Sequence, residues 1–244
     1  MRLSGAVAIV TGGGRGIGRS ICLAFAREGS RVVAAARTRS EIDAVVREIE
    51  RAGGAALAVP VDVADERSVT ELVARTMAEY GQIDVLVNNA AINHGRRPVV
   101  ELDTDTWDRV IGVNLRGAFL CSRAVLAEMI PRRRGKIINV SSIGGRRGEA
   151  GRSAYRVSKA GMLSLTECLS DEVKAFGINV NAICPGAVDT PMLQAVFGRR
   201  DDVTAMPPED IAAVAVFLAS DEARSLHGAV IDAFGVSRTL RVSS

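Results

Sequence analysis

The strongest constraint on the fold is an alternation along the chain. Short apolar runs rich in β-branched residues recur, and each of the first six is followed by a longer stretch with helical periodicity. Strands are predicted at 7–11, 31–36, 55–61, 83–88, 136–140, 179–184 and 229–233. Helices are predicted at 18–28, 41–52, 66–80, 104–129, 154–176 and 208–219. Strands that are apolar at nearly every position are buried on both faces, which is the pattern of a parallel sheet. Right-handed crossovers then put helices on both sides of it. The prediction is an α/β chain with a doubly wound parallel sheet of about seven strands, in a single domain over residues 1–244.

Composition agrees with a packed globular protein: 48 % of residues are apolar and 24 % charged, too apolar for a disordered chain. A net charge of +3 is too small to argue for nucleic acid. No apolar stretch of the sequence reaches the roughly 20 residues of a membrane span. The first residues carry no signal-peptide pattern. Cys22, Cys121, Cys168 and Cys184 have neither metal-ligand nor disulfide-framework spacing. They read as buried, reduced thiols, and a cytoplasmic protein with no metal and no membrane partner is expected.

Segment 11–18 reads Thr-Gly-Gly-Gly-Arg-Gly-Ile-Gly and joins the first strand to the first helix. Gly12 permits a tight turn off the strand, while Gly16 and Gly18 allow close backbone approach and helix packing. The helix that opens at Ile17 and Gly18 offers unpaired N–H groups and a positive dipole end to a pyrophosphate. This is the dinucleotide site of a Rossmann-type sheet. An acid about twenty residues on would bind the ribose 2′-hydroxyl of NAD. Here Ala34, Ala35 and Ala36 lead into Arg37. Arg37 and Arg15 can clamp a 2′-phosphate, so NADP(H) is expected in preference to NAD(H). The alternative is that both are solvated arginines in an arginine-rich chain.

Tyr155 and Lys159 stand four apart in a helical stretch and so share one face. The chain has only two tyrosines and, among 31 basic residues, only the lysines Lys136, Lys159 and Lys174. Chance gives roughly 0.025 such pairs at this spacing. An adjacent ammonium favours phenolate and is expected to lower the Tyr155 pKa, which suits proton exchange with a carbonyl oxygen. Ser141 and Ser142 end the fifth strand, where open α/β sheets bind ligands and a hydroxyl can polarise a substrate oxygen. A serine there is also a common turn residue.

Together these residues resemble the short-chain dehydrogenase/reductase family over nearly the whole chain, closest in pattern to 3-oxoacyl-carrier-protein reductases. The glycine turn matches that family's nucleotide signature. Asp62 and Val63 match its adenine-contacting pair, and Asn88, Asn89 and Ala90 its motif after the fourth strand. Asn114, Ser142, Tyr155 and Lys159 match its catalytic tetrad. Pro185, Gly186, Val188 and Thr190 match the segment that holds the nicotinamide carboxamide. The resemblance implies that Tyr155 passes a proton, Ser142 orients the substrate oxygen, and Lys159 binds the nicotinamide ribose. Asn114 would anchor a water in a proton relay.

Two departures stand out from that family. Ala91 replaces the glycine that usually follows Asn-Asn-Ala, and the substrate lid near 190–208 is shortened. The tail at Ala233, Phe234, Gly235 and Val236 lacks the usual Asp-Gly-Gly turn, though a dimer or tetramer is still implied. Arg146, Arg147 and Arg152 lie between Ser142 and Tyr155, where they would receive a carboxylate substrate or an acidic carrier protein, or would simply be solvated. Arg132, Arg133 and Arg134 are equally ambiguous, and His94 falls near the cleft. The implied activity is hydride transfer between NADP(H) and a ketone or secondary alcohol, with a 3-oxoacyl thioester as a candidate substrate. Alternatives are a sugar, polyol or steroid alcohol dehydrogenase, and a nucleotide-sensing or scaffold protein without turnover.

Overall fold

The computed structural model describes residues 1–197 and 204–235. Seven strands form one sheet in the order β3-β2-β1-β4-β5-β6-β7, and all six pairings are parallel. They are β1 (Val7–Thr11), β2 (Arg31–Ala36), β3 (Ala56–Pro60), β4 (Val85–Asn88), β5 (Gly135–Val140), β6 (Ile178–Pro185) and β7 (Val230–Ala233). The order reverses direction between β1 and β4, which opens a crevice at the carboxyl ends of those strands. Every residue of β1 and β6 is buried, as strands flanked by helices on both faces must be.

Helices α1 (Gly16–Arg27) and α2 (Arg39–Arg51) cover one face together with α8 (Pro208–Ala219). Phe25, Ile42, Ile49 and Ile211 meet Val10, Val32 and Ile138 there. Helix α3 (Glu66–Tyr80), α4 (Thr104–Ile111), α5 (Gly117–Arg132) and α6 (Ser153–Val173) lie on the other side. Leu72, Met129 and Leu169 meet Ile9, Leu86 and Ile137 on that face. At the amino-terminal edge of the sheet the buried Asp84 accepts from Val7 N at 2.9 Å and from Arg132 Nη2 at 2.6 Å. Arg133 donates to Ala175 O at 2.6 Å. Arg132 and Arg133 are therefore structural, and they sit at the end of the sheet away from the crevice.

The structure departs from the sequence reading in four places. The expected helix 104–129 is α4 and α5 joined by a π-helical turn, Gly112–Arg116. The combined run Thr104–Arg132 has the length and hydropathy of a membrane span, but 56 % of its most apolar window is buried inside the protein, as in a core helix. Cys168 is exposed, unlike Cys22, Cys121 and Cys184, because it falls on the outer face of α6. An unexpected short helix α7 (Pro191–Phe197) follows Thr190. The remainder of the shortened lid, residues 198–203, and Val236 of the tail lie outside the described residues.

Candidate active site

The glycine turn is shaped by what its neighbours leave room for. Gly12 has a φ of +65°, and a Cβ there would stand 2.8 Å from Asn89 Nδ2. At Gly18 a Cβ would fall 2.2 Å from Gly12 O, closer than any packing allows. Asn89 fastens the turn from the far side: its amide donates to Thr11 O at 2.9 Å and Gly12 O at 3.2 Å. The Thr11 hydroxyl accepts from Asn89 N at 3.0 Å and Ala90 N at 3.1 Å. Helix α1 starts with no acidic residue in its first turn and no side-chain cap, so its N–H groups face the crevice unclaimed by side chains.

That crevice is lined by Gly12, Arg15, Gly16 and Ile17 from the turn and by Arg37 and Thr38 after β2. Asp62 and Val63 close it after β3, Asn89, Ala90 and Ala91 after β4, and Thr190 beyond β6. Ten of the residues expected to touch cofactor thus share one cleft. Gly18 supports the turn from behind. Val188 is buried and pairs with Met206, while Gly186 N donates to Ala233 O at 3.0 Å. Pro185, Gly186 and Val188 therefore carry the chain from the end of β6 to Thr190. The backbone cradle, free of side chains where a Cβ would collide, fits a dinucleotide pyrophosphate.

One residue of this cleft went unread in the sequence. Glu41, in the first turn of α2, reaches Arg15 with Oε1 at 3.6 Å from Nη1. The missing acid at the end of β2 is thus partly replaced by one that arrives from a helix. Its approach is visible only in three dimensions: a Cβ on Gly14 would lie 2.7 Å from Glu41 Cβ, so the glycine is what admits the helix here.

The second half of the site lies at the carboxyl ends of β5 and β6. Lys159 is 2 % exposed, and its Nζ donates to Val140 O at 2.7 Å. The Ser141 hydroxyl donates to Lys159 O at 2.8 Å. Gly145 makes this close seat possible, since a Cβ there would be 2.7 Å from Lys159 O. Ser142 accepts from Gly144 N at 3.0 Å and is hydrogen-bonded to the Tyr155 phenol. Lys159 Nζ stands 5.9 Å from the Tyr155 ring centre. Asn114, fully buried in the π turn, accepts from Ile92 N at 2.8 Å and donates to Ile92 O and Ser158 Oγ, each at 3.0 Å. Ser158 donates to Tyr155 O at 2.7 Å. The structure brings Asn114, Ser142, Tyr155 and Lys159 together, and adds Ser158 as the link between the π turn and α6. Arg146 instead turns to Asp232, with Nε to Oδ1 at 2.9 Å.

Electrostatics differ from the sequence expectation. Burial raises the Tyr155 phenol above its ordinary value, with the Ser142 hydrogen bond and the charges of Arg152 and Arg156 pulling the other way. Tyr155 is therefore a neutral phenol at neutral pH, a proton donor in this state. Burial lowers Lys159 to about 8, against the pull of Cys184. An unfolded lysine keeps its proton to about pH 10.4. Between about pH 8 and 10.4 the folded state thus binds fewer protons, and this group alone makes stability rise with pH. With the lysines labelled by reductive ¹³C-methylation, one NMR resonance absent from Lys159→Met should titrate near pH 8.

The family described as short chain dehydrogenase matches residues 6–201. The chain belongs to that family. This short-chain dehydrogenase is 38 % identical over 239 residues to the 3-oxoacyl-[acyl-carrier-protein] reductase FabG of Thermotoga maritima, covering 95 % of this chain and 97 % of the relative. It is 40 % identical over 233 residues to a cis-4-hydroxycyclohexanecarboxylate dehydrogenase of Sinomonas cyclohexanicum, covering 92 % and 93 %. The crystal structure of levodione reductase superposes with a TM-score of 0.91 at 30 % identity, covering 95 % and 96 %. The protein is an oxidoreductase of carbonyl and alcohol groups that uses a nicotinamide nucleotide.

Proposed function

We propose that this enzyme is an NADPH-dependent carbonyl reductase, with Tyr155 as proton donor, Ser142 as the group that orients the carbonyl oxygen, and Lys159 as the ribose ligand. The observation that carries this reading is the neutral Tyr155 phenol set against Ser142 beside the nucleotide cradle. When bound, the nicotinamide supplies hydride; this chain supplies position, a proton and a water-poor setting. The glycine turn holds the pyrophosphate, Asp62 and Val63 the adenine, and Thr190 the carboxamide. Asn114 is a positioning residue that holds Ile92 and Ser158 in place.

A 3-oxoacyl thioester on an acidic carrier protein is a candidate substrate, supported by the Thermotoga relative's name and the exposed Arg96, Arg97 and Arg147 at the rim. The enzyme works in the cytoplasm, where its unpaired cysteines would stay reduced, and as a homo-oligomer, for which exposed Phe119 on α5 and Val157 on α6 offer apolar contact surface. Purified protein should oxidise NADPH with at least one activated ketone from a broad carbonyl panel. NADPH binding without any turnover would favour a nucleotide sensor instead.

Cofactor choice rests on Arg37 and Arg15, tempered by Glu41. Arg37→Asp should weaken NADPH binding about 10- to 100-fold, the worth of a charge-assisted hydrogen bond, and spare NADH. Glu41→Gln frees Arg15 from its ion pair. It should tighten NADPH up to about 5-fold, the scale of an exposed pair. Isothermal titration with both nucleotides checks each; equal effects on NADPH and NADH would remove these residues from the 2′-phosphate site.

A further inference from the structure

Ser142 opens a tight 3₁₀ turn, Ile143–Gly145, and that turn is fastened on two sides. On the inner side it rests on α6. The Ser141 hydroxyl donates to Lys159 O at 2.8 Å, and a Cβ on Gly145 would stand 2.7 Å from the same oxygen. The backbone closes the turn: Gly145 N donates to Ser142 O at 2.8 Å, and Arg146 N to Ile143 O at 3.0 Å. Ser142 Oγ accepts from Gly144 N at 3.0 Å, so the aim of that hydroxyl follows the conformation of the turn.

On the outer side the turn reaches β7. Arg146 caps the 3₁₀ segment, and its Nε donates to Asp232 Oδ1 at 2.9 Å. Its Nη2 stands 2.8 Å from the same oxygen and reaches Val230 O at 3.4 Å. Asp232 lies opposite the buried Cys184 in the β6–β7 register. The pair therefore bridges from the β5–α6 connection, past the end of β6, to the edge strand. An acid is unusual within a strand, and on an edge strand it commonly discourages pairing with another chain. That role needs no partner. Asp232 has one, and it comes from the segment that carries Ser142. Arg146 thus ties the far end of the turn, as Ser141 ties its start.

We propose that Arg146 and Asp232 are positioning residues, whose ion pair holds the Ser142 turn in the orientation that aims its hydroxyl at a carbonyl oxygen. The edge strand β7 then belongs to the working structure of the reductase. The inference rests on the reading of Ser142 as the group that orients the carbonyl oxygen, and extends it to two residues outside the tetrad. Misplacing a catalytic group by about 1 Å can cost about 10²-fold in rate. A partly exposed ion pair holds such a geometry by about 5-fold at most. Breaking it therefore spoils the aim of Ser142 in part, without removing the hydroxyl.

The first arm of the test needs no substrate. In ¹⁵N-labelled protein, amide hydrogen exchange is followed at Gly144, Gly145 and Arg146, whose N–H groups close the turn. Asp232→Asn should speed exchange there about 5-fold and leave Ile137 and Ile138 of β5 unchanged. Unchanged exchange at the turn, or equal acceleration through the sheet, would overturn the proposal. The second arm is turnover with NADPH and the acetoacetyl thioester of N-acetylcysteamine, or the best ketone of the carbonyl panel. Arg146→Met and Asp232→Asn should each lower kcat about 5-fold, with KM and NADPH affinity within about 2-fold, and the double variant should be no worse than either. Arg146→Lys, which keeps the charge, should recover part of the loss. In a Ser142→Ala background, Arg146→Met should cost nothing further, whereas a general loosening of the fold would cost the same in both backgrounds. An equal loss in both would overturn the proposal and leave the role of Ser142 intact. Wild-type turnover in Ser142→Ala would overturn the reading of Ser142 and the proposal with it.

Discussion

Replacing Tyr155 by Phe should lower kcat about 10³-fold while leaving NADPH affinity within about 2-fold, because a positioned proton donor is worth 10²- to 10⁴-fold. The substitution removes one oxygen and keeps the ring. Tyr155 Cε1 lies 3.4 Å from where a Gly144 side chain would begin, so the ring fills its space against the β5–α6 connection and phenylalanine fills it equally. Burial holds the phenol in its neutral form, which is the form that gives a proton to a carbonyl. Ser142 cannot take over, since an aliphatic alcohol is a far weaker acid than a phenol; its oxygen accepts from Gly144 N, which positions it beside the ring. Single-turnover kinetics with circular dichroism separate the outcomes. A fall below 10-fold with the fold intact would mean that water or another group supplies the proton.

Gly18→Ala should abolish nucleotide binding and destabilise the fold by about 3 kcal/mol, the upper range for forced overpacking. The new methyl would sit 2.2 Å from Gly12 O and 2.5 Å from Asn89 Nδ2. Neither is a flexible side-chain end free to swing away: one is backbone, and the other is anchored to Thr11 O at 2.9 Å. The turn must therefore move, and with it the α1 amino terminus that would face a pyrophosphate. Titration calorimetry and thermal melts measure both effects. Wild-type affinity in Gly18→Ala would show that the turn is not the pyrophosphate cradle.

The sheet was legible because its signal is local. Apolar runs such as Val7–Thr11 carry their own burial pattern, and the glycine turn names its place between strand and helix. What escaped the sequence depends on partners distant along the chain. Helical spacing of apolar residues continues across Gly112–Arg116, so periodicity alone does not separate a π turn from an α-helix; Asn114 holds it through Ile92 and Ser158. Arg132 looked like part of a basic run and is the partner of Asp84, 48 residues away. Arg146 looked like a cleft residue and belongs to Asp232 on β7. That Asn114, Ser142, Tyr155 and Lys159 would gather in one place was readable as spacing and company; the state of the phenol was not. Proximity of an ammonium suggested a lowered phenol pKa, whereas burial decides it in the opposite direction.

Hydride transfer can be followed atom by atom. NADPH carrying deuterium at the transferring position of its nicotinamide ring is incubated with the enzyme and a mixture of ketones, oxo acids and thioesters, and products are read by mass spectrometry. The account predicts one deuterium at the carbinol carbon of at least one product, lost in Tyr155→Phe and Lys159→Met. Tight NADPH binding with no deuterium in any alcohol, or undiminished labelling in Tyr155→Phe, would contradict it.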